Sequence, residues 1–65
     1  MKQMTKQQLE NTIHRKMVFI LGALLSKSTL ETVRYEISRR LRQYSRDELD
    51  EILQVIISKH PEIIA

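Results

Sequence analysis

The chain has 65 residues, of which 42% are hydrophobic and 29% are charged, with a formal net charge of +3, one Gly, one Pro and no Cys. One Gly and one Pro are too few for the turns of a β-rich fold, and the hydrophobic content is too high for a disordered tail, so we expect a single all-α domain over residues 1–65. The absence of Cys excludes a disulfide framework and a thiolate zinc site.

The first predicted helix covers about residues 5–25. Thr5 can cap its N-terminus, and Gln8 three residues later completes a capping box. Apolar residues then recur at intervals of three and four, which is the spacing of a buried helix face. They are Leu9, Ile13, Met17, Ile20, Leu21 and Leu24. The apolar run at 17–25 is much shorter than the roughly 20 residues of a membrane span, so we expect it to be core, with no membrane partner and a cytoplasmic location.

The second predicted helix covers about residues 29–44. Ser28 and Glu31 have the spacing of a capping box at its start. A narrow apolar stripe runs along it and predicts one buried face. The stripe consists of Leu30, Val33, Ile37, Leu41 and Tyr44.

The third predicted helix covers about residues 46–59. Ser45 and Glu48 form its capping box, and Pro61 ends it, because the residue before a proline is disfavoured in the α region. Four carboxylates fill its first turns, where the helix dipole favours negative charge. Its predicted buried stripe consists of Leu49, Ile52, Leu53, Ile56 and Ile57. Together the three segments predict a compact three-helix bundle.

The second half of the first helix carries more apolar surface than two short helices can cover. At about 100° per residue, Val18 and Phe19 point away from the buried stripe, and a helix that is apolar all round must be buried all round. We therefore expect a two-fold homodimer. The predicted interface consists of Met17, Val18, Phe19, Leu21, Gly22 and Leu25. In the alternative, a monomer, the C-terminal Ile63 and Ile64 cover this surface.

The positive charge is concentrated in the first two thirds of the chain. Residues 1–27 carry +4, residues 28–44 carry +2 and residues 45–65 carry −3. On the second helix, Tyr35, Arg39 and Arg42 follow i, i+4, i+7 spacing and share one face. Arg34 flanks the buried stripe, and Arg46 extends the set past the end of the helix.

Arginine makes bidentate contacts with phosphates and base edges, and an outward Tyr among Arg residues is typical of a nucleic-acid surface. The sequence therefore predicts a small non-enzymatic regulatory protein that binds DNA or RNA. The predicted contacts are Arg34, Tyr35, Arg39, Arg42 and Arg46. Two alternatives stay open. The protein is an antagonist or adaptor that docks on a protein partner, through the Arg face on an acidic surface or through an apolar helical groove, or the Arg face is an ordinary solvated face in which Glu36 pairs with Arg40.

No residue pattern predicts catalysis, a metal or a cofactor. His14 lies one turn from Glu10, but zinc sites need three or four ligands, so this pair is interpreted as an exposed ion pair.

Residues 34–44 are loosely similar to the second helix of a family of small helical-hairpin aspartyl-phosphate phosphatases. Glu36 matches that family's Ser-x-Glu-Leu-Asp signature, whereas Ser38 stands where the family has its functional Asp. The resemblance therefore does not imply phosphatase activity here, and it is compatible with an antagonist built on a similar hairpin.

Overall fold

The computed structural model describes residues 4–61, which form three α-helices: α1 (Lys6–Gly22), α2 (Lys27–Leu41) and α3 (Arg46–Lys59). No strand occurs between residues 4 and 61. The all-α, three-helix prediction is confirmed, and α3 has the predicted bounds.

Two of the three predicted capping boxes are confirmed. The Thr5 hydroxyl accepts from the Gln8 backbone N–H (3.1 Å) and the Gln8 side chain accepts from the Thr5 N–H (2.9 Å). At α3, the Ser45 hydroxyl accepts from the Glu48 N–H (3.2 Å) and Glu48 Oε1 accepts from the Ser45 N–H (2.8 Å). Each box satisfies two backbone N–H groups at the start of a helix, that of the N-cap residue and that of the third helical residue.

The predicted start of α2 is wrong by two residues. Ser26, not Ser28, is the N-cap: its backbone is extended (φ −66°, ψ 160°) and its hydroxyl lies 3.4 Å from the Thr29 backbone N–H that it accepts from. The same hydroxyl donates to the Thr29 side chain at 2.9 Å. Glu31 is too far along the helix to complete a box with Ser26.

α1 and α2 both end three residues earlier than predicted. Leu24 and Leu25 each donate a backbone N–H to Leu21 O, at 2.9 and 3.0 Å, and the chain then turns into the extended cap at Ser26. A cap residue needs non-helical backbone, so the residues just before it must leave the preceding helix. Leu24 and Tyr44, predicted as buried, are consequently 77% and 40% exposed.

Two apolar side chains from each helix, spaced one turn apart, make the core. They are Leu9 and Ile13 of α1, Ile37 and Leu41 of α2, and Leu49 and Leu53 of α3. α1 makes the main helix contacts, to both α2 and α3, so it lies between them. The result is a flat molecule, with extents of 38 × 26 × 15 Å.

The residues predicted for a dimer interface differ in how far they are buried within their own chain. Met17 and Leu21 pack against the core of their own chain, whereas Phe19 is 69% exposed. Val18 and Leu25 are half-buried, and Gly22 is exposed at the end of α1. Ile63 and Ile64, the alternative cover for this surface, lie outside the described residues.

The position of the α2 cap can be tested with two serine variants. Ser26→Ala removes the acceptor for the Thr29 N–H, so we expect the free energy of unfolding to fall by about 1 kcal/mol. Ser28→Ala leaves the cap intact and should change stability by less than about 0.5 kcal/mol. Urea unfolding followed by circular dichroism measures both, and a larger loss for Ser28→Ala would contradict the observed start of α2.

The α3 capping box should make stability depend on pH. The hydrogen bond from the Ser45 backbone N–H is the main cause that lowers the pKa of the Glu48 carboxyl below its ordinary value, and the Ser45 hydroxyl adds to it. A lowered folded-state pKa contributes stability that is present above the ordinary carboxyl pKa and is lost as pH falls through the folded value.

We therefore expect wild type to melt at a higher temperature than Glu48→Gln at neutral pH, with the difference shrinking as pH is lowered through about 4. Glu51→Gln, an exposed carboxylate on the same helix, serves as the matched control. A gap between wild type and Glu48→Gln that stays constant down to the acid limit would contradict the charged hydrogen bond.

Candidate nucleic-acid interface

The residues that α2 buries determine which of its residues face solvent. Ile37 and Leu41 are buried against the other helices, and the positions on the opposite side of α2 are therefore in solvent. Tyr35 is 67% exposed, and Arg39 and Arg42, one and two turns further on, are exposed with it. The structure thus places these three predicted contacts on one continuous surface, which we call the Arg face.

The Glu36 carboxylate partly neutralises this surface. Glu36 accepts from Arg39 at 3.3 Å and lies 3.6 Å from Arg40, and the two arginine side chains stay 57% and 77% exposed. Exposed pairs of this kind contribute only about 0–1 kcal/mol, so little is lost when either arginine turns to another anion. The predicted Glu36–Arg40 pair is confirmed.

Arg34 and Arg42 contribute their backbones, not their side chains, to the fold. The Arg34 carbonyl lies 3.1 Å from His14 Nε2, and the Arg42 carbonyl accepts from Lys6 Nζ at 2.9 Å. Both bonds join α1 to α2. Within residues 4–61, no carboxylate lies within ion-pairing distance of either guanidinium, and both side chains are exposed.

Arg46 has a different position from the other four predicted contacts. It is the first residue of α3, its Nε donates to the Met4 carbonyl at 2.8 Å, and its Nη1 lies 3.4 Å from Asp47 Oδ1. Its side chain is only 34% exposed. Arg46 therefore ties the start of α3 to the segment that precedes α1, and it does not extend the Arg face along α2.

The predicted Glu10–His14 ion pair is absent between residues 4 and 61. His14 instead reaches across to α2, where the hydrogen bond to the Arg34 carbonyl requires the proton on Nε2. The sequence shows that Glu10 and His14 share a helix face. It does not show that α2 offers a carbonyl to the same face.

A polar groove of about 470 Å³ runs between α1 and α2 beside the Arg face. It is lined by Gln7, Glu10, Asn11, His14, Ser38, Leu41 and Arg42. Gln7 Nε2 donates to Asn11 Oδ1 at 3.1 Å along its α1 wall. Arg42 belongs to both the groove and the Arg face, so the two features are continuous.

The sequence prediction missed this groove. The one signal for it was the run of polar residues on a single side of the first helix, which could equally face solvent alone. Because Lys6 bonds to Arg42 and His14 to Arg34, the helices run antiparallel and bring this polar side against the C-terminal half of α2.

Among residues 4–61, no group of three or more His, Cys, Asp or Glu is placed to hold a metal ion, and no helix is long and apolar enough to cross a membrane. Comparisons with protein-family models, with curated proteins and with solved structures found no match. The Arg face and the adjoining groove are the features from which a function can be inferred.

Proposed function

We propose that this protein is a small regulatory protein that binds DNA or RNA without catalysis, through the Arg face of α2. One observation supports the proposal above the others: Arg39 and Arg42 are exposed one turn apart beside an exposed Tyr35, and Glu36, the carboxylate that pairs with Arg39, is shared with Arg40. Guanidinium groups in such an array suit the repeating phosphates of a nucleic acid.

Binding would proceed by neutralisation of phosphates. Each arginine that contacts a phosphate releases condensed counterions, which is favourable at low salt and makes affinity fall as salt rises. Two carboxylates, Asp47 and Glu48, occupy the first turn of α3, where the helix dipole favours negative charge. A cytoplasmic location is consistent with this function and stays a prediction.

We also propose that two copies form a two-fold homodimer through the second half of α1. Phe19 and Leu24 are large apolar side chains with most of their surface in solvent, and Val18 and Leu25 beside them are only half-buried. Pairing would cover them and add to the small core, which is marginal in a chain of this size. Two Arg faces would then be presented by one particle.

The Arg face can be tested with a charge-matched pair of variants. Arg39→Ala with Arg42→Ala removes two proposed phosphate contacts, so we expect at least a tenfold loss of affinity and a log K versus log salt slope that is shallower by about 1–2. Arg15→Ala with Lys27→Ala removes the same charge from exposed sites elsewhere and should change the slope little.

Gel-shift or anisotropy titrations at two or more salt concentrations give both quantities. Equal losses in the two double variants would show that net charge alone drives binding. Unchanged retention after loss of Arg39 and Arg42 would refute the proposal and favour an acidic protein partner for this face.

The dimer can be tested with Phe19→Glu, which places a charge in the proposed interface. We expect wild type to sediment as a dimer at tens of micromolar and Phe19→Glu to sediment as a folded monomer. Gly22→Ala is a second probe: an added Cβ would meet only Leu30 Cδ2, at an ordinary 3.6 Å, and no glycine in the described chain has positive φ.

Within one chain, Gly22→Ala should therefore be neutral or stabilising by up to about 1 kcal/mol. If Gly22→Ala weakens the dimer, the added methyl group obstructs the partner chain, and the partner helix must pack close to Gly22. Sedimentation of wild type as a single well-folded chain at the same concentration would contradict the dimer.

A further inference from the structure

The groove between α1 and α2 is less suited to a phosphate than the exposed arginines of the Arg face are, because a carboxylate, Glu10, lines it together with Arg42. A phosphate diester offers acceptor oxygens and a negative charge, and in this groove it would meet the Glu10 carboxylate. The remaining lining residues are Gln7 and Asn11 with amide side chains, His14, Ser38 with a hydroxyl, the apolar Leu41 and the cation Arg42. Donors and acceptors are therefore mixed, which matches the edge of a nucleobase.

Tyr35 is not one of the lining residues, but helix spacing places it near this groove, on the outer side of α2. It is one turn before Ser38, which lines the groove, and two turns before Arg42, which belongs to both features. Its ring is 67% exposed. An exposed aromatic ring beside cationic side chains is the arrangement on which unpaired bases stack while the cations follow the backbone.

From these two observations we infer that the ligand of the Arg face is a single-stranded nucleic acid, with one unpaired base in the α1–α2 groove and a neighbouring base stacked on Tyr35. The inference rests on the proposed function and names the class of nucleic acid. In a duplex the base faces are covered by stacking and the phosphates flank the base edges. A duplex would leave Tyr35 without a partner and would bring phosphates toward Glu10.

The experiment compares a fluorescently labelled 20-nucleotide single strand of mixed, non-self-complementary sequence with its own duplex. Anisotropy titrations use the full-length protein at two salt concentrations. We expect the single strand to bind at least tenfold more tightly than the duplex at both salt concentrations. Tyr35→Phe keeps the stacking ring and should stay within about twofold of wild type.

Tyr35→Leu removes the ring and should lower single-strand affinity about 5- to 150-fold, the range that one base–aromatic stack contributes. Tyr44→Leu is the matched control, because Tyr44 is an exposed tyrosine outside the Arg face and should have no effect on binding. Tyr35 is largely in solvent, so both variants should fold, and circular dichroism checks this.

The groove has its own probe. Asn11→Ala removes a neutral hydrogen-bonding group at an exposed position of α1, so single-strand affinity should fall about 2- to 10-fold with no change in the salt slope. Arg39→Ala changes the slope instead, because Arg39 is not one of the residues that line the groove, so the two variants separate base contacts from phosphate contacts.

The two proposals fail in different ways. If neither oligonucleotide binds, the proposed function and this inference are both refuted. If the duplex binds as tightly as the single strand, or if Tyr35→Leu and Asn11→Ala bind like wild type while loss of Arg39 and Arg42 still weakens binding, the Arg face is a nucleic-acid surface but its ligand is not single-stranded.

Discussion

The rest of this molecule depends on the packing of Leu9 and Ile13, two side chains of α1 that are fully inaccessible to solvent. These α1 side chains belong to one cluster with a pair from α2 and a pair from α3, so a single helix organises both neighbours. Because α2 packs mainly on α1, it buries one face and leaves the opposite face in solvent. The Arg face therefore exists because the core is small: an additional helix on α2 would have covered it.

The hydrogen bonds between α1 and α2 preserve the charge of that face. Lys6 and His14 of α1 reach across to α2, where they bond to backbone carbonyls. The arginines whose carbonyls they bond, Arg42 and Arg34, have exposed side chains, and no carboxylate within residues 4–61 forms an ion pair with either. Arg39 and Arg40 also lie in the last turn of α2, where cations interact favourably with the helix dipole, so the same positive charges serve helix stability and a surface for anions.

The helix count, the bounds of α3, two capping boxes and all six core residues could be predicted, because apolar spacing and cap chemistry act within one or two turns. The choice between Ser26 and Ser28 could not, since both are good caps and the path of the chain after Gly22 decides between them. Arg46 looked like a continuation of the α2 arginines, but its side chain bonds to the Met4 carbonyl, a contact between residues far apart in the chain. The α1–α2 groove depends on which polar side of α1 meets α2, and that is a property of helix packing.

The proposed dimer surface and the proposed ligand site lie toward opposite ends of α1, and this separation has a consequence for binding. Asn11 in the groove and Gly22 at the end of the helix are about 16 Å apart along the axis, at about 1.5 Å per residue. In a two-fold dimer that pairs the far ends with the two α1 helices antiparallel, the two grooves would be on the order of 30 Å apart. A short strand could occupy only one of them, whereas a longer strand could reach both, and its second contact would be intramolecular. Linked contacts of this kind raise affinity by about 10²- to 10⁴-fold without any new interaction. Dimerisation would thus raise the affinity for long strands over short ones, while the chemistry of each groove stays the same.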